Sequence, residues 1–162
     1  MKLGYNYSMI IEKKTVIKAL QTENLSYGWF FNSKKSKNAE KDCPVCAVGA
    51  IIRKSLGRKI GKYTNKAEFG FELNDYCAEL TDHLYTDINP EILLKEKNYL
   101  GALSSYFESF GPVLGLGDIK VTPVVRKRLI EFAKKNFPTR FKVQDFDELA
   151  EKAFADISEY GN

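Results

Sequence analysis

Residues 42–62 read DCPVCAVGAIIRKSLGRKIGK, and the reading of this stretch decides the fold. Asp42 or Cys43 can act as the N-cap of a helix, Pro44 is tolerated in its first turn, and Gly57 after Leu56 supplies the usual stop. No charged residue separates Cys43 from Arg53. At helical spacing Val45, Val48, Ile52 and Leu56 form a bulky stripe, while Cys46, Gly49, Ala50 and Arg53 form a neighbouring face of mostly small residues. Such a helix is expected to be buried on both faces, with another element packed closely over the small one. The fold is therefore expected to be built around a buried central helix at about 43–56, which leaves the core through Arg53, Lys54, Arg58 and Lys59.

Upstream of this stretch, Ser8 can cap a helix from Met9 to about Glu23, with Met9, Ile10, Val16, Ile17 and Leu20 on one stripe. The aromatic run Tyr27 to Phe31 suits a short strand or a buried connector. Its Trp29 could stack on a ligand ring, but a core role is the ordinary use of such a residue. Residues 32–41 are polar, rich in lysine and without period, as in a loop.

Downstream, the glycines and alternating apolar residues of 57–73 predict a hairpin or an extended loop. Asn74 or Asp75 can cap a helix reaching about Tyr85, with Cys77, Leu80 and Leu84 inward. Asn89 and Pro90 start another. Tyr99, Leu100, Leu103, Tyr106, Phe107 and Phe110 make a wide apolar helical face that Gly111 and Pro112 end. Thr122 and Pro123 open a helix that Pro138 stops, and 139–143 suits a short strand. Asp145 with Glu148 approximates a capping box ahead of Phe146, Leu149, Ala150, Ala153, Phe154 and Ile157. These signals predict a mainly α fold: a single compact domain over 1–162, six or seven helices around the central one, and two or three short strands.

The chain of 162 residues is 44% hydrophobic, which is enough for a core without cross-links. Three cysteines, an odd number, and an N-terminus with no continuous apolar run predict free or metal-bound thiols, a cytoplasmic location and no membrane span. Charge is distributed in blocks. Residues 34–66 and 120–142 are strongly basic, and each is followed by an acidic stretch, at 68–97 and 143–162. Either the blocks face one another and cancel, or the basic ones form a surface that attracts an anion.

The motifs for chemistry lack their required surroundings. Cys43, Pro44, Val45 and Cys46 resemble the redox motif of glutaredoxins, in which a helix N-terminus stabilises a thiolate. That resemblance implies an apolar strand immediately before the motif, whereas Ser33 to Lys41 is polar, and Val121, Thr122 and Pro123 do not repeat the order of the family's Thr-Val-Pro loop. A zinc site formed with Cys77 and His83 would need two residues that a helix points about 120° apart. A hydrolase with Cys43 as nucleophile and His83 as base resembles the papain-like arrangement, but His83 lies in a helical pattern rather than on a strand. The glycines at 111, 115 and 117 follow a helix and lack the Lys and Ser or Thr of a phosphate loop.

No cofactor or metal is therefore expected. The leading expectation is a non-catalytic cytoplasmic binding protein. It would engage a protein partner or an anionic ligand through Arg53, Lys54, Arg58, Lys59, Lys127, Arg128, Lys134 and Lys135. Nucleic-acid binding through blocks 53–66 and 126–135, with Lys62 and Lys66 contributing, is the first alternative. A Cys-dependent enzyme at Cys43 and Cys46 is the second.

Overall fold

The computed structural model describes residues 8–27, 30–31, 44–60, 71–81, 89–111 and 120–152. Its elements, in chain order, are β1 (Ser8–Glu12), α1 (Lys13–Thr22), α2 (Ala47–Leu56), α3 (Leu73–Thr81), α4 (Pro90–Lys95), α5 (Tyr99–Glu108), α6 (Pro123–Asn136) and β2 (Arg140–Gln144). A last helix, α7, starts at residue 146 and is described to 152. The protein is mainly helical, as its periodicities predict, with one small two-stranded sheet.

The central helix is α2. Ala47 to Arg53 and Leu56 are all buried, which leaves Lys54 as its exposed position. Helices α1, α3 and α5 pack around it. It begins later than the sequence predicts, because Pro44 and Val45 are not helical. Val45 bridges Leu25 and Phe31, and its N–H and C=O bond to Asn24 and Ser26. With those backbone groups already satisfied, Cys46 becomes the N-cap, its sulfur accepting from the Gly49 N–H at 3.4 Å. Asp42 and Cys43 lie outside the described residues.

The small-residue face of α2 has the close neighbour expected of it. A Cβ on Gly49 would lie 2.0 Å from the carbonyl oxygen of Phe30, which accepts from the Cys46 N–H. At the other end Gly57 has φ +54 and donates to Arg53, closing the helix in a conformation that glycine adopts without strain. The exit continues as a 3-10 turn over Gly57–Lys59. Residues 61–70, where a hairpin or extended loop is expected, are outside the described residues.

The first helix departs from prediction. Residues Ser8–Glu12 form a strand paired antiparallel with β2, Ile11 opposite Phe141 and Met9 opposite Val143, and α1 starts only at Lys13. The reason is the partner strand. Ile11 is buried and Ile10 is 52% exposed, so the two fall on opposite faces of a strand rather than on one stripe of a helix. The Lys13 N–H, the first orphan donor of α1, bonds to the Thr139 carbonyl in place of a side-chain cap.

Other starts follow their signals closely. Asn89, Asn98 and Thr122 each cap the helix that follows, with Pro90 and Pro123 at the first helical positions. Lys97, with φ 62, separates α4 from α5. Asp145 accepts from Glu148 N–H at 2.9 Å, one half of the expected box, but the Glu148 carboxylate accepts from Gln144 instead of closing it. Asn74 caps nothing: its side chain accepts from Phe31 N–H and ties α3 to the bridge region. The expected extension of α3 to Tyr85 and the tail of α7 fall outside the described residues.

One apolar cluster unites these elements. Within it Tyr76 donates to the Gln144 carbonyl at 2.7 Å and packs on Phe146, and Tyr99, Phe137 and Phe141 form a ring trio between α5, the end of α6 and β2.

Candidate binding surface

Of the eight basic residues singled out in the sequence, Arg53 does not reach the surface. It is 7% exposed, and its guanidinium donates to Glu23 at 2.8 and 3.2 Å. The same glutamate uses its backbone carbonyl to accept from Arg126 at 2.9 Å, and Arg126 also donates to the Leu20 carbonyl at 2.6 Å. Arg126 thus caps the C-terminal end of α1, where carbonyls lack helical partners. Arginines from the two basic blocks meet at Glu23, and there they hold α1, α2 and α6 together. The sequence gives little sign of this, because nothing in the local pattern of Arg126 separates it from Lys127 and Arg128.

The remaining seven are exposed: Lys54, Arg58 and Lys59 at the exit of α2, and Lys127, Arg128, Lys134 and Lys135 on α6. Among the described residues none of them is ion-paired to a carboxylate. On α6 they fall in two stripes, Lys127 with Lys134 and Arg128 with Lys135, each pair seven residues and about 10 Å apart along the axis. The α6 C-terminus also draws in Lys13, whose ammonium donates to the Lys134 carbonyl at 2.6 Å. Lys62 and Lys66 are outside the described residues.

The second stripe borders a cleft of about 410 Å³ between α4, α5 and α6. Tyr106 and Phe132, stacked with ring centroids 4.5 Å apart, line it together with Leu94. Arg128, Glu131 and Lys135 line its α6 side, and Asn89, Pro90 and Glu91 its α4 side. The sequence singles out the two cations here, but not the cleft, which requires the antiparallel packing of α5 on α6.

The thiols are placed differently from a reactive pair. Cys46 sits at a helix N-terminus, where N–H donors from Val48 and Gly49 favour the thiolate, yet full burial outweighs them and pushes the thiol up to about 12. Cys77 is buried on α3, and burial, with the neighbouring Cys46, also pushes its thiol well above the ordinary value. Both are free. Cys43, His83 and Trp29 are outside the described residues, so the nucleophile–base pair and the ring-stacking site named from the sequence are too. Among the described residues no cluster of His, Cys, Asp and Glu has the form of a metal site. No helix among them is long and apolar enough to cross a membrane. No protein-family model, no curated protein and no solved structure matches this chain.

Proposed function

We propose that this is a non-catalytic binding protein that engages an anionic partner through Lys127, Arg128, Lys134 and Lys135 of α6, with Lys54, Arg58 and Lys59 as a second basic group. The observation that carries this reading is that all seven side chains are exposed and none is neutralised by a carboxylate among the described residues. Of the two sequence-level alternatives, this fits charges left available to a partner better than charges cancelled within the fold. Arg53, buried against Glu23, has a structural part instead. The free thiols of Cys46 and Cys77 fit a reducing, cytoplasmic setting. A thiol pushed up to about 12 is a poor nucleophile at neutral pH, which argues against an enzyme built on Cys46.

Nucleic acid is the second reading, favoured by the same exposed lysines and arginines, which are suited to neutralising phosphates. Both readings are tested by measuring binding of the full chain to polyglutamate and to mixed-sequence duplex DNA at low salt. The expected result is binding that weakens as salt rises and is lost when Lys127, Arg128, Lys134 and Lys135 are all changed to Glu. Lys134 and Lys135 lie in the last turn of α6, where an acid opposes the helix dipole, so an unchanged far-ultraviolet circular dichroism spectrum is the control that the variant is folded. Absence of binding to either polyanion by the unmodified chain at low salt overturns the proposal.

A further inference from the structure

The cleft between α4, α5 and α6 combines an aromatic lining with two cations that have no carboxylate partner among the described residues. We infer that it docks a short acidic segment of a partner protein, one apolar side chain entering the cleft and flanking carboxylates meeting Arg128 and Lys135. This inference rests on the anion-binding reading and names the partner's chemistry.

The geometry supports it in three ways. First, Tyr99 packs on Phe137 while Tyr106 packs on Phe132, so α5 and α6 run antiparallel. That carries Phe110 toward the end of α6 that holds Val124 and Arg128. Phe110 is 37% exposed and meets Tyr106 edge-on at 4.9 Å, and Val124 is 69% exposed. Phe110 thus adds an apolar edge beside Tyr106 of the cleft lining. Second, a cleft of about 410 Å³ has room for one large side chain and the backbone that carries it. Third, Arg128 and Lys135 stand about 10 Å apart, a distance that an extended peptide crosses in roughly three residues.

The carboxylates of the cleft separate a peptide from a nucleic acid. Glu91 and Glu131 line it beside the two cations, so its lining carries no net charge. A nucleic acid bears a charge at every nucleotide and would bring some of them against these acids. A peptide can place its acids opposite Arg128, Lys135 and the nearby Lys127 and Lys134, and set uncharged N–H groups against Glu131.

The test is selection by the full chain from a displayed library of random peptides roughly eight residues long, enough to reach about 26 Å when extended. Enrichment of sequences with two or more acids around an aromatic or large aliphatic residue is expected. The selected peptide, fluorescently labelled, is expected to bind about tenfold more weakly to Arg128→Glu and to Lys135→Glu, each a 1.4 kcal/mol loss. Reversal of Lys54, Arg58 and Lys59 is expected to leave its affinity unchanged. Peptides without acids, or no enrichment at all, overturn the inference. If affinity falls on reversing the α2 exit but not on changing Arg128 or Lys135, the cleft is wrong while the basic-surface reading stands. Displacement of the peptide by duplex DNA at physiological salt gives the site to nucleic acid and likewise overturns it.

Discussion

At the scale of single residues, Gly49 of α2 has no room for a side chain. An alanine there gains about 1 kcal/mol of helix propensity, but overpacking ordinarily costs 1–3 kcal/mol, and here the neighbour is backbone rather than a side chain that can turn away. Gly49→Ala is therefore expected to lose about 2 kcal/mol net, read as a lower urea midpoint with an unchanged slope. The thiols make a separate prediction in pH. Because Cys46 keeps its proton in the folded chain up to about 12, its contribution to stability is complete below the ordinary thiol range and declines as pH rises from there toward about 12. Cys77, raised in the same direction, adds to the decline. Stability is expected to fall above about pH 9, at up to roughly 1.4 kcal/mol per pH unit for each thiol. Urea unfolding at stepped pH checks it. A curve for Cys46→Ala whose alkaline slope equals that of the unmodified chain would sink the assignment to Cys46.

At the scale of elements, Glu23 and Arg53 show how much α2 depends on its neighbours. Their side chains are 12% and 8% exposed, so removing one partner leaves a charge with little water to replace it. Arg53→Met is expected to destabilise by about 3 kcal/mol, and Arg53→Met with Glu23→Leu by clearly less than the sum of the two single changes. A strictly additive thermal-melt cycle would mean that the pair contributes nothing by contact. The same helix marks where the sequence could be read and where it could not. Its buried stripe, its small face and its Gly57 stop depend on residues within a few turns, and so do the Asn89, Thr122 and Asp145 starts. Its first turn does not: Pro44 allows a helix, but Val45 is claimed by Asn24, Ser26, Leu25 and Phe31, partners distant in sequence. β1 was hidden for a related reason. Met9 and Ile10 fit a helical stripe continuous with Val16 and Leu20, and only pairing with 140–144 selects the strand. At the candidate surface Lys127 and Arg128 were legible as exposed cations. The structural part of Arg53 and Arg126 was not, because it requires the end of α1.

At the scale of the whole molecule, ties between distant parts of the chain close the fold. β1 pairs with β2, Lys13 closes on α6 through the Lys134 carbonyl, and Tyr76 of α3 bonds to Gln144. Contacts of this separation slow folding, since a large loop must close before they repay its entropy. The charge blocks are also divided by the fold: Arg53 and Arg126 fasten α1, α2 and α6 at Glu23, while Lys127, Arg128, Lys134 and Lys135 of α6 stay exposed. The pairing of Ile11 with Phe141 has a further consequence during synthesis. The first strand leaves the ribosome long before its partner exists, and Met9 and Ile11 have no β2 to face until nearly all of the described chain has emerged. Until then the nascent protein carries these apolar residues without the strand that pairs with them, which makes the interval of translation a time of exposure to wrong pairing.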